Sequence, residues 1–194
     1  MTALFAAPAA DHDLLHQNAP AAGLADEYLY SQDMVHKYAF ARWWGDPDPA
    51  TSAVWVLFHP ATAETEQRYR PTLERCVTWS RAAGRTGLIV VNLFAYCHTD
   101  PRQVPHAADP VGPANDHVLR AVTAVGARAV AAWGRPSQQD GRSAHVAPLL
   151  NSPLCLGTTQ RGEPKHPGRV RADTPFLPWT PTPAANGRPT AGSR

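Results

Sequence analysis

Residues 54–60 read VWVLFHP, a short apolar run that ends in a histidine and a proline. Three later apolar runs end in a similar way, at Asn92, at Trp133-Gly134 and, after a loop, at His166-Pro167. Short apolar runs of this kind are typical of strands that are buried on both faces of a parallel sheet. Open α/β sheets bind ligands beyond the carboxyl ends of their strands. The sequence therefore predicts a site built from these strand ends.

Helical patterns separate the predicted strands. One begins at Pro71, whose missing N–H would be unpaired in a first helical turn anyway, and it ends near Gly84. A second follows Pro113, and a weaker one spans 144–150. This alternation predicts an α/β fold, a small three-layer sandwich with a mostly parallel four-stranded sheet. The aromatic residues 38–44 predict one more strand, a possible antiparallel edge strand.

The length of 194 residues and the 43% hydrophobic content suit one domain with a real core. Residues 1–30 lack sustained periodicity, and the last stretch is rich in Pro, Thr, Ala, Gly and Arg. We therefore predict a disordered N-terminal segment at 1–30, a single α/β domain at 31–179 and a disordered C-terminal tail at 180–194.

Charge and cysteine content narrow the function classes. A net charge of +2 gives no strong basic field, so nucleic-acid binding is possible but not implied. Cys76, Cys97 and Cys155 are widely separated, which argues against a disulfide framework and favours reduced cytoplasmic thiols. No secretory signal, membrane span or metal-ligand spacing is evident. We expect a cytoplasmic monomer that uses no cofactor and no metal.

Several motifs occur together in the order of a known family. They are His59-Pro60-Ala61-Thr62-Ala63-Glu64, Arg70-Pro71-Thr72, Val91-Asn92-Leu93-Phe94-Ala95-Tyr96, Ala132-Trp133-Gly134 and His166-Pro167. Over about residues 36–179 the chain resembles the bacterial and phage domain-of-unknown-function family numbered 1643. The wider family has Asn-Pro-Ser-Thr-Ala-Asp as its first motif and Asp-Pro-Thr as its second. This chain differs from that pattern at His59, Ala61, Glu64 and Arg70.

The order of these motifs is also similar to that of the uracil-DNA glycosylase superfamily. The similarity implies that the sheet is of that type and that the protein hydrolyses an N-glycosidic bond in DNA or in a nucleotide-like small molecule. It implies that His59 positions the hydrolytic water, that Asn92 reads the edge of a base and that His166 stabilises the departing base. Trp133 and Gly134 would support this site.

The implied roles agree with the chemistry of the side chains. Cleavage leaves charge on the base, which a hydrogen-bond donor such as His166 stabilises. The Asn92 carboxamide offers a donor and an acceptor to a pyrimidine edge. Thr62, Glu64 and the ring of Trp133 would contact the substrate, and the cations of Arg169 and Arg171 would hold phosphates.

Each of these residues also has a structural interpretation. His59 and Asn92 are common turn residues, Trp133 would be buried at a sheet end, and Glu64 and the two arginines would be solvated surface charges. The altered first motif is also compatible with a non-catalytic module that binds nucleotides or nucleic acid. A hydrolase of free nucleosides is a third alternative, which predicts activity that is insensitive to salt.

Overall fold

The computed structural model describes residues 3–21, 24–61, 70–125, 128–134 and 141–181. These residues contain eight strands and four α-helices. The strands are β1 Leu15–Ala21, β2 Leu24–Tyr30, β3 Lys37–Trp43, β4 Ala53–Leu57, β5 Gly87–Asn92, β6 Val130–Ala131, β7 Leu154–Cys155 and β8 Leu177–Pro178. The helices are α1 Ala3–Asp11, α2 Pro71–Ala82, α3 Asn115–Ala124 and α4 Arg142–Val146. None of the helices in these ranges is long and apolar enough to cross a membrane.

All eight strands form one mixed sheet in the order β1-β2-β3-β5-β4-β6-β7-β8. Strands β5, β4, β6 and β7 pair in parallel, whereas the pairings β1–β2, β2–β3, β3–β5 and β7–β8 are antiparallel. The prediction of a mostly parallel four-stranded sheet is therefore wrong. The predicted edge strand lies inside the sheet as β3, between β2 and β5.

The additional strands β1 and β2 lie in the segment for which we expected disorder. Their sequence gives little sign of a sheet because β2 carries two buried acids, Asp26 and Glu27, which are 4% and 5% exposed. Cross-strand partners in β3 make this burial possible. Arg42 donates from Nε and a terminal nitrogen to Asp26 at 2.8 and 2.7 Å, and Trp43 Nε1 donates to Glu27 at 2.8 Å. Buried charges need such partners, and a one-dimensional pattern does not reveal them.

The helix predictions agree better with the structure. Helix α2 begins at Pro71, and Gly84 follows its end with a φ of +69°, as a glycine C-cap requires. Helix α3 confirms the helix predicted after Pro113. The weak third helix is α4, continued by the 3-10 turn Ala147–Leu149. The predicted C-terminal tail lies outside the described residues except for 180–181.

Both faces of the central sheet are buried, which explains the continuous apolar runs. Val54, Val56, Ile89 and Val91 belong to the cluster on one face, and the other face is covered by α2. We call the second side the α2 face; it carries Phe40, Trp55, Leu88 and Val90. Because side chains alternate along a strand, Asn92 at the end of β5 lies on the α2 face, as Val90 does.

Candidate functional site

The carboxyl ends of β4, β5 and β6 lie side by side. Leu57 and Asn92 are register partners at the ends of β4 and β5. On the other side of β4, the N–H of Ala132 donates to the carbonyl of Val56 at 2.9 Å. The loops after these strands therefore start next to one another, as the sequence predicted for this edge.

The first loop holds His59 in a defined tautomer. Its Nε2 lies 3.0 Å from the carbonyl oxygen of His98, so Nε2 must carry the proton and donate it. Nδ1 is then an unprotonated acceptor, and no residue of the described ranges binds it. Burial lowers the pKa of His59 below its ordinary value near 6.5, and the nearby charge of His166 contributes in the same direction. The ring is therefore neutral at pH 7.

The loop after β7 holds His166 in the opposite tautomer. Its Nδ1 accepts the N–H of Gly168 at 3.1 Å, at the start of the 3-10 turn Pro167–Arg169. In the neutral ring the proton is therefore on Nε2, which binds no residue in the described part of the chain. Burial and, to a smaller extent, the charge of Arg169 lower the pKa of His166. The charge of His166 is among the smaller causes that lower the pKa of His59.

Two contacts fix the position of the His166 loop. The N–H of Gly134, after β6, donates to the carbonyl of Pro164 at 2.9 Å, and a Cβ added to Gly134 would lie 2.8 Å from the Cβ of His166. Gly134 has a φ of +84°, which also favours glycine. From α2, Arg75 donates to the carbonyl oxygens of Pro167 and Val170. The loop is therefore anchored to β6 and to α2.

Asn92 is 4% exposed, and its side-chain oxygen is buried without a hydrogen-bond partner in the part of the chain that the structure describes. The main-chain carbonyls around Asn92 accept hydrogen bonds from side chains on the face of the sheet opposite α2. Asn115 Nδ2 donates to the carbonyls of Asn92 and Leu93 at 3.2 and 3.0 Å, and Arg142 Nε donates to Leu93 at 2.7 Å. An unsatisfied buried acceptor costs about 1–3 kcal/mol. A structural role in the turn after β5 does not explain why the Asn92 side chain is kept at this cost.

Of the other predicted site residues, Trp133 is buried, whereas Arg169 and Arg171 are exposed. Trp133 is buried, and its Nε1 donates to Glu163 Oε2 at 2.6 Å, which fits the structural interpretation of this ring. Arg169 is exposed next to His166. Arg171 is exposed but forms a two-point ion pair with Asp173, at 3.1 and 3.2 Å. Because its guanidinium is already paired, Arg171 is less suited than Arg169 to bind a phosphate group. Residues 62–69, including Thr62 and Glu64, lie outside the described residues.

Lys37 is a site neighbour that the sequence analysis missed. It is only 3% exposed, and its Nζ donates to the carbonyl of Ala61 at 3.1 Å. The Nζ also lies over the rings of Tyr28 and Tyr30, 5.7 and 5.2 Å from their centroids. The signal available in the sequence was a lysine directly before the aromatic stretch 38–44.

The described residues form no metal centre, and one cavity that they line lies away from this site. The described residues contain no group of three His, Cys, Asp or Glu side chains that could hold a metal ion. A cavity of about 360 Å³ lies elsewhere, at the ends of α3 and α4. Its lining residues are Phe94, Pro110, Val111, Asp116, Arg142 and His145.

Comparison with known proteins gives one match. The model of a family described as "Protein of unknown function (DUF1643)" matches residues 37–168, which include His59, Asn92 and His166. No curated protein and no solved structure matches the chain. Because the match covers more than half of the sequence, the chain belongs to the DUF1643 family.

Proposed function

We propose that the protein recognises a nucleobase and hydrolyses an N-glycosidic bond in DNA or in a nucleotide. The observation that carries the proposal is the pair of half-buried, neutral imidazoles in opposite tautomers: His59 has an acceptor and His166 a donor that bind no residue of the described ranges. General acid–base chemistry needs one group of each kind at the same site. The motif order, which is similar to that of the uracil-DNA glycosylase superfamily, supports the same proposal.

In this mechanism a water molecule attacks C1′ of the sugar, and the bond between C1′ and the base nitrogen breaks. His59 Nδ1 orients the water and takes its proton. The electron pair of the broken bond stays on the base, and His166 Nε2–H donates to the base oxygen where the charge develops. The buried Asn92 oxygen has no protein partner, so an N–H on the base edge would satisfy it.

The direct test is a search for released base. Purified full-length protein is incubated with mononucleotides and with oligonucleotides that carry uracil, other deaminated bases or hypermodified pyrimidines, and free base is measured by mass spectrometry. We expect release from at least one substrate class. Binding without release would support the alternative of a non-catalytic binding module. Release from nucleosides without salt dependence would favour a small-molecule hydrolase over a DNA enzyme.

Replacement of Asn92 by leucine separates stability from recognition. Because the Asn92 oxygen is unpaired, we expect Asn92→Leu to keep or slightly raise the free energy of unfolding in urea. Base release should fall about 10-fold or more, because the base edge loses its partner. The matched control is Asn115→Leu, which removes two hydrogen bonds to the β5 end and should cost about 2 kcal/mol. Equal destabilisation by both variants would contradict the role of Asn92.

The pH dependence follows from the lowered pKa of His59. The unprotonated ring is the active form, so activity is present above its pKa and is lost as the pH falls through it. We expect the acid limb of kcat/KM to lie below pH 6.5, the ordinary value. In His59→Gln the residual rate should lack this limb. An acid limb above the ordinary histidine pKa in the unaltered protein would argue against His59 as the base.

A further inference from the structure

The α2 face carries a cation that pairs with no acid of the described residues. The guanidinium of Arg70, the residue before α2, lies over the ring of Phe40, 5.0 Å from its centroid. One of its terminal nitrogens is buried and forms no hydrogen bond, and within the described chain no carboxylate pairs with Arg70. The residue as a whole is only partly buried.

A second arginine on the same ring provides the contrast. Arg42 also lies over Phe40, at 5.6 Å, but its charge is compensated by Asp26 at 2.7 Å and by Glu74 at 3.1 Å. Within the described ranges, acids thus pair with the guanidinium of Arg42 and not with that of Arg70. A partly desolvated cation without an anion is costly, and a ligand anion would provide what the protein does not.

The surroundings of Arg70 are aromatic and buried, since Tyr28, Tyr30 and Phe40 are each at most 5% exposed. The rings of Tyr30, Tyr28 and Phe40 form one continuous surface, with centroids 6.1 and 5.1 Å apart. Lys37 lies over the tyrosine end of this surface and Arg70 over the phenylalanine end. A strand irregularity at Leu29 and Tyr30 brings Tyr30 opposite Lys37, which places this lysine on the α2 face.

The phenylalanine end of this aromatic row adjoins Asn92, the residue proposed to read the base. Phe40 in β3 is the register partner of Val90 in β5, and Asn92 lies two residues further along β5 on the same face. Two strand residues span about 7 Å. A nucleotide carries its base and its phosphate on opposite sides of one sugar, so it can place them at two neighbouring points of this kind.

We propose that Arg70 binds a phosphate group of the substrate. This inference rests on the proposed function, because it takes the base to lie at Asn92. The phosphate is either the monoester of a free nucleotide or a diester of a single strand, and both offer the oxygens that an arginine binds in a two-point contact.

The test is isothermal titration calorimetry of the full-length protein with three sets of ligands. The first is inorganic phosphate. The others are the deoxynucleoside 5′-monophosphates of uracil, thymine, cytosine, adenine and guanine, and the matching nucleosides. A short single-stranded oligonucleotide distinguishes diester from monoester. We expect the preferred monophosphate or the oligonucleotide to bind more tightly than the nucleoside. Arg70→Gln should weaken that binding about 10- to 100-fold and leave nucleoside binding unchanged.

The control is Arg81→Gln, which removes an exposed arginine of the same helix that lies 4.9 Å from the ring centroid of Trp44. It should change none of these affinities, and thermal unfolding should show that both variants fold. Equal affinity for nucleotide and nucleoside, no binding of any phosphate probe, or unchanged binding in Arg70→Gln would overturn the inference. Arg70-dependent phosphate binding without base release would refute the hydrolase proposal alone. Base release at an unchanged rate in Arg70→Gln would refute this inference alone.

Discussion

Replacement of His166 by alanine should lower the rate of base release about 10²–10³-fold, the typical loss when one donor to a developing anion is removed. The reason is the tautomer of the ring. Gly168 N–H occupies Nδ1, so the proton on Nε2 is the only ring donor available to a departing base. The effect should appear in the single-turnover rate with the best substrate of the panel, while substrate affinity changes little, because the charge develops only in the transition state.

Two further variants make this result specific. His106→Ala removes an exposed histidine in the 3-10 turn Val104–His106 and should leave base release unchanged. His166→Gln retains an N–H donor and should recover part of the lost rate. Release at the unaltered rate in His166→Ala, with folding intact, would refute the proposed role of this residue.

Replacement of Gly134 by alanine should damage stability and activity together. The new Cβ would lie 2.8 Å from the Cβ of His166, and the φ of +84° is unfavourable for alanine. Backbone strain of about 1–2 kcal/mol and a similar cost of overpacking should lower the free energy of unfolding by about 3 kcal/mol. Base release should fall about 10²-fold, because a displacement near 1 Å is enough to misplace a reacting group.

Gly84→Ala is the matched control for backbone strain. Gly84 has a similar φ of +69°, but an added Cβ there meets no atom within 4 Å. It should cost about 1 kcal/mol in urea unfolding and leave base release unchanged. If Gly134→Ala behaved like Gly84→Ala in both measurements, the contact between the β6 end and His166 would have no functional weight.

Local patterns predicted part of the fold well. Pro71 and Gly84 delimit α2, and the apolar runs correspond to β4, β5, β6 and β7. The antiparallel half of the sheet was missed because its stability comes from pairing at a distance. In β2, Asp26 and Glu27 look like surface residues until Arg42 and Trp43 face them from the next strand. The wrong sheet architecture follows from this omission.

The residues of the candidate site were also only partly predictable from local sequence. The sequence suggested His59, Asn92 and His166 from their places after apolar runs, and in the structure the charge of His166 is among the causes that lower the pKa of His59. It could not identify Lys37 or Arg70, because the aromatic surface under them is assembled from two strands. For Trp133, the hydrogen bond to Glu163 is visible only once residues thirty positions apart are brought together.

The amino-acid sequence by itself determined which segments become helices and central strands, because periodicity, prolines and glycines act over a few residues. It also determined which side-chain types follow those strands. Only the tertiary structure decided the number and direction of the strands, the tautomers of the two imidazoles and the unpaired state of Asn92 and Arg70. These properties depend on partners contributed by distant segments, and burial gives those partners their energetic weight.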